Sequence, residues 1–146
     1  MVAPRHNWLA IALCAVINFI FSNLWYGMLF GEKWYALHNM VVDKTNGTFT
    51  KNGITPDFNP VAAILGAVAG ALISAFILSY LFRRMGVAGW KDGLVTGATI
   101  GLFAFIGLSV NNLFICNPMS LSLIEGGAAV ILFALYGAIL GGWQKK

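Results

Sequence analysis

Residues 8–31, 60–82, 93–115 and 119–143 form four long apolar runs, three without a charged side chain and the last with one, Glu125. A hydrocarbon core is crossed by about 20 apolar residues at a rise of about 1.5 Å each, so every run is long enough to span it. The sequence therefore predicts an all-α polytopic membrane protein. Its four-helix transmembrane bundle is a single domain over residues 1–146, and a 28-residue extracytoplasmic loop, residues 32–59, joins helices 1 and 2. Only 10% of the chain is charged, against about a quarter in a soluble domain, and too little lies outside the runs to hold a soluble catalytic domain.

The first run reads as a retained helix. It is too long for the apolar region of a signal peptide, about 7–15 residues, and no A-x-A-like site follows it. Leu13 stands where a lipoprotein site at Cys14 would need a small residue. The net charge of +4 is read as topology, because Lys and Arg in short loops stay cytoplasmic. Arg5, Arg83, Arg84, Lys91, Lys145 and Lys146 share one side, against Lys33, Lys44 and Lys51 on the other, which places both termini in the cytoplasm. A nucleic-acid partner is not expected, since no basic stripe is interleaved with stacking aromatics. Cys14 and Cys116 fall at different depths and are expected to be small apolar filler without a disulfide.

Trp25, Tyr26 and Trp34 bracket one membrane interface and Trp90 and Trp143 the other, where an apolar body with a polar tip is favoured. After the first run, EKWYALHNMVV has apolar residues at 34, 37, 40 and 41, spacing that suits a short interfacial helix. TNGTFTKNGITPDFNP follows with two Asn-Gly pairs, which favour turns or a small hairpin. Asn46-Gly47-Thr48 fits a glycosylation sequon, which matters only in a eukaryotic secretory setting. Asn117 is expected to cap the last helix, with Pro118 at its first position. Small residues recur every four positions at Ala62, Gly66, Gly70 and Ser74, at Gly93, Gly97 and Gly101, and at Gly137 and Gly141. Such stripes let helices approach closely in lipid, either within one bundle or across a dimer face.

Glu125 lies seven residues beyond Pro118, about 10 Å into the span. Counting to the same depth in the other spans reaches Ser22 and Asn23 in the first and Asn111 and Asn112 in the third, with Asn18 one turn further in. An intramembrane carboxylate has to face the interior and find donors or carry its proton. No Lys or Arg occurs within a span, so the expectation is a carboxyl without a salt bridge, either protonated or bonded to amides. The functional reading is a proton- or cation-coupled site, and the structural one is a hydrogen-bonded tie between helices. Among enzyme signatures, H-E-x-x-H, G-x-S-x-G and P-loop patterns are missing, and His6 and His38 belong to opposite sides. No catalytic residue, metal ligand or cofactor is assigned.

NWLA at 7–10, LWYGMLFGEKW at 24–34 and SLIEGGAAVILFALYGAILGGW near the end together resemble a bacterial family of small four-helix membrane proteins, domain of unknown function family 1761. The most specific part is W-Y-G-x-L-F-G-x-x-W, carried by Trp25, Tyr26, Gly27, Leu29, Phe30, Gly31 and Trp34. Met28 stands where the family often has Pro after W-Y-G, so a weaker kink is expected. Ala128 and Ala129 stand where a Tyr-His pair tends to follow the acidic position. The resemblance implies a bacterial inner-membrane location and supplies no activity. The expected partners are the lipid bilayer and either a second copy or a larger membrane complex. Two roles follow, a structural or accessory subunit of a membrane assembly and, alternatively, a small coupled transporter or channel acting as a homodimer around Glu125.

Overall fold

The computed structural model describes residues 6–43 and 45–143; Arg5, Lys44, Lys145 and Lys146, part of the charge asymmetry above, lie outside the described residues. Helix α1 (Trp8–Ser22) continues as a π-helical segment, Asn23–Leu29. A short helix α2 (Gly31–Leu37) and a two-stranded hairpin, β1 (Met40–Asp43) and β2 (Thr48–Lys51), lead to α3 (Pro60–Met85), α4 (Trp90–Phe114) and α5 (Met119–Gly142). Trp8–Leu29, α3, α4 and α5 are each long and apolar enough to cross a membrane. This is a membrane protein with four transmembrane helices.

Local chemistry sets several of these boundaries. Asn7 and Asn59 cap α1 and α3 by accepting from the Ala10 and Ala62 amides at 3.4 and 3.1 Å, and Pro60 begins α3 without losing a hydrogen bond. Gly86, at φ 68°, closes α3 in the left-handed conformation that glycine adopts freely. Asn117 does not cap α5 as expected; Pro118 holds the cap position, and the Asn117 amide donates instead to Asn112 Oδ1 at 3.0 Å. The interfacial helix also ends sooner than its apolar spacing suggests. Asn39 turns left-handed at φ 53° and sends Met40 and Val41 into β1, which pairs antiparallel with β2 from Met40 opposite Lys51 to Asp43 opposite Thr48. Asp43 closes that hairpin by accepting from Thr45 and Asn46, and the Thr45 hydroxyl and amide bonds hold its carboxyl below the usual range.

The core is concentrated at the end of the bundle that carries the described termini. Ala10, Ile11 and Cys14 of α1 meet Ala75, Leu78 and Phe82 of α3 and Tyr136 and Leu140 of α5. At this end Asn7 Nδ2 donates to the Trp143 carbonyl at 2.7 Å and the Gly89 amide to that of Gly141 at 3.0 Å. His6 lies 3.2 Å from Ser79 Oγ, with burial first and the Arg83 charge second holding its imidazole below the ordinary range. No residue of α1 after Cys14 and none of α3 before Ala71 is buried. Towards the hairpin end these two helices border a groove of about 380 Å³, walled by Ala15, Phe19, Ala63 and Ala67.

The glycine stripes divide between two situations. A Cβ on Gly93 or Gly97 would come within 2.1 Å of the Gly137 and Phe133 carbonyl oxygens, and one on Gly101 within 2.6 Å of Val130 Cα. Reciprocally, a Cβ on Gly137 would approach the Gly93 oxygen to 2.0 Å, and one on Gly141 the Gly89 oxygen to 2.6 Å. These five glycines thus join α4 to α5 backbone to backbone. Gly66 and Gly70, expected as packing positions too, meet nothing within 4 Å. The packing face of α3 runs instead through Ala71, Ala75, Leu78, Ser79 and Phe82. That face is offset by one residue, about 100° at 3.6 residues per turn.

Candidate functional site

The loop end of α5 gathers the polar groups. Glu125 is followed by Gly126 and Gly127: Phe105 of α4 occupies the place where a Gly126 side chain would be, while Trp25 passes at ordinary contact distance, 3.6 Å from a Cβ built on Gly127. The π-helical segment brings in Trp25. Its i to i−5 bond from the Phe30 amide to the Trp25 carbonyl, 2.9 Å, widens the last turn, and the indole Nε1 donates to the Ile124 carbonyl at 3.0 Å. Gly31 is then needed for the chain to double back, since a Cβ there would lie 2.7 Å from the Tyr26 carbonyl oxygen. The reversal lays α2 against α5.

Trp34 of α2 and His38 at its C-terminal cap are four residues apart and so share a face. Both reach Glu125: His38 Nε2 lies 3.1 Å from Oε1, and Trp34 Nε1 donates to the same oxygen at 3.4 Å. Asn112 of α4, 4% exposed, serves the other side. Its Nδ2 donates to Glu125 Oε2 at 3.4 Å and to Ser122 Oγ at 3.2 Å, while its Oδ1 accepts from Asn117. Donors on both oxygens suit an acceptor-only carboxylate. The His38 and Glu125 side chains are each 22% exposed, so solvent screens the contact, and an ion pair formed with a protonated His38 is worth about 1 kcal/mol or less.

Glu125 and Asn112 are therefore brought together, whereas the remaining members of the expected polar layer are not. Asn111 is exposed, one residue round the helix from Asn112. Asn23 is exposed and its Nδ2 donates back to the Phe19 carbonyl at 2.8 Å. Asn18 and Ser22 line the α1–α3 groove and make no bond to Glu125. Within the spans Glu125 meets the Asn112 amide and no Lys or Arg, and His38 reaches it from outside the spans. Trp25 and Trp34 spend their indole N–H groups inside the protein, and Tyr26 is half-buried with its ring 5.4 Å from that of Trp34. Trp90 and Trp143 stand exposed at the other end, Lys91 Nζ lying 5.6 Å from the Trp90 ring. Sequence reasoning missed His38, Ser122 and Asn117. The Trp34/His38 and Ser122/Glu125 spacings, i to i+4 and i to i+3, were the available signal for the first two. Among the described residues no group of three or more His, Cys, Asp or Glu is placed to hold a metal ion.

Four spanning helices of which α4 and α5 are glycine-packed, with a histidine-paired carboxylate near one surface, define a small polytopic α-helical membrane protein. Residues 9–141 match the model of a family described as protein of unknown function, DUF1761, and the chain belongs to that family. No curated protein and no solved structure matches it.

Proposed function

We propose that the protein is a structural or accessory component of a membrane assembly, in which Glu125 ties the segment between the first two spans to the bundle. The observation that carries this reading is the engagement of Glu125 by α2 and α4 together, through Trp34, His38 and Asn112. Proton- or cation-coupled transport by a homodimer around Glu125 is the second reading, favoured by the titratable partner 3.1 Å away. Reconstitution in proteoliposomes decides between them. The expected result is proton and cation flux no greater than in empty vesicles, with a larger complex co-purifying from native membranes with both wild type and Glu125→Gln. A flux lost in Glu125→Gln would overturn the structural reading.

The proposal includes a bacterial inner-membrane location with both termini cytoplasmic, supported by the Lys and Arg asymmetry. The two cysteines provide a test, since Cys116 is exposed beside the loop end and Cys14 is buried in the core. A membrane-impermeant maleimide added to intact spheroplasts is expected to label the wild type and not Cys116→Ser. Labelling of the wild type only after lysis would reverse the topology.

A further inference from the structure

We infer that the aromatic cleft of Tyr26, Trp34 and Tyr35, next to the contact between Glu125 and His38, takes an alkylated ammonium ion, a quaternary ammonium group above all. This goes beyond the accessory role and does not depend on it. The cleft measures about 330 Å³ and is lined by Ser22, Asn23, Tyr26, Gly27, Trp34 and Tyr35. Three of these six carry rings. The Tyr26 and Tyr35 rings stand at 61° and 69° to the Trp34 ring, each with its centroid 5.4 Å away, so they form walls at angles to one another instead of a flat stack. Ring walls of this kind attract a cation through the negative potential of their faces, and Trp is the strongest of them.

The central wall is also tuned for a cation. Trp34 donates its indole N–H to Glu125, which draws the proton towards the carboxylate and leaves more electron density on the ring. Glu125 itself lies outside the lining, behind Trp34, and shares its Oε1 with His38 Nε2 at 3.1 Å. No Lys or Arg lines the cleft; Lys33, next to Trp34 in the chain, is exposed. Gly27 leaves one wall open, since nothing lies within 4 Å of a Cβ built there.

The same features decide the kind of cation. A small inorganic ion needs several hard oxygen ligands in exchange for its water, and the lining offers it no carboxylate, only the neutral side chains of Ser22, Asn23, Tyr26 and Tyr35. A quaternary ammonium spreads its charge over methyl groups, sheds water at small cost, and exchanges it for ring faces. An adjoining cleft of about 360 Å³ shares Trp34 and Tyr35 and adds Met40, Val42, Phe49 and Phe58, an apolar surface for an alkyl or aryl substituent. A choline headgroup of a lipid and a free organic cation offer the same chemistry, and the experiment separates them.

The test uses the full chain in a maltoside detergent, titrated calorimetrically with choline and with its uncharged isostere 3,3-dimethylbutan-1-ol. Choline is expected to bind at least about threefold more tightly than the isostere, the advantage a cation over partly exposed aromatic faces gives. Trp34→Leu and Tyr35→Leu are each expected to weaken choline about fivefold or more, while Trp90→Leu, at the other end of the bundle, leaves it unchanged. Glu125→Gln should weaken choline and leave the isostere alone. Among the described residues the Tyr35 side chain makes no hydrogen bond to the Glu125 cluster, so Tyr35→Leu carries the test if Trp34→Leu loses its helical circular dichroism. Equal binding of choline and isostere, no heat with choline at tens of millimolar, or unchanged affinity in a folded Tyr35→Leu would each overturn the inference. In nanodiscs, choline affinity that falls in phosphatidylcholine and returns in phosphatidylglycerol assigns the cleft to a lipid headgroup. Equal affinity in both assigns it to a soluble cation.

Discussion

Gly137→Ala is expected to destabilise the bundle by about 1–3 kcal/mol, the cost of forcing a methyl group into a contact that is already closed. The added carbon would lie 2.0 Å from the Gly93 carbonyl oxygen, 2.8 Å from its carbon and 3.1 Å from Gly97 Cα. All three are backbone atoms, so no side chain can rotate away and the two helices have to separate. Separation is costly because α4 has little else to hold it: its buried residues are Gly93, Gly97, Gly101 and Asn112. In lipid, helix association relies on close packing, since apolar surface gains nothing by leaving hydrocarbon for protein. Thermal unfolding in detergent, followed by circular dichroism, measures the effect. Gly66→Ala and Gly70→Ala serve as paired controls, because a Cβ at either position meets nothing within 4 Å. The transition temperature is expected to fall clearly for Gly137→Ala and to stay level or rise slightly for the controls. Similar losses at all three positions would contradict the backbone contact between α4 and α5.

Glu125→Ala has a different expected signature, local and not global. It removes the acceptor of the Trp34 indole and of one Asn112 amide hydrogen, and the partner of His38, at about 1–3 kcal/mol for each group left buried and unpaired. The 22% exposure of His38 and Glu125 lets water recover part of that cost. What remains falls on α2, which Trp34 and His38 fasten to the bundle. Hydrogen exchange at α2 amides is expected to accelerate about tenfold or more, corresponding to 1.4 kcal/mol of local opening, while the glycine-packed part of α4 and α5 keeps its protection. Glu125→Gln should fall between, because its amide keeps one acceptor oxygen and turns the other position into a donor. If α2 exchanges in Glu125→Ala as it does in the wild type, the tie between the segment and the bundle is made elsewhere.

The spans were legible in the sequence because hydropathy is a local property. Runs read as 60–82 and 119–143 are helices Pro60–Met85 and Met119–Gly142, with the starts as read and only the C-terminal ends shifted, the first running on to Gly86. Depth counting also put Asn112 level with Glu125, because rise per residue is constant along a helix. Rotation about the helix was not legible. Asn111 and Asn112 stand side by side in the sequence, and packing against α5 decided that Asn112 is buried and Asn111 exposed. The same holds for α3, where Gly70 and Ala71 are neighbours and the buried face takes Ala71. An even spacing of small residues marks a smooth stripe, but only a facing helix makes it an interface. The π-helical turn and Asn39 were likewise hidden, each being a backbone choice that rests on the surrounding contacts.

His38 marks the boundary between the two kinds of knowledge. Its place in the segment after the first span, and the place of Glu125 within the fourth, follow from the sequence alone, since whether a run crosses lipid depends on the sum of its own side chains. Their meeting at 3.1 Å across 87 residues depends on Gly31 reversing the chain, the widened turn at Trp25, and Gly126 admitting Phe105 beside the carboxylate. A hydrogen bond needs its partners within about 3 Å, and only the packed helices bring these two side chains that close.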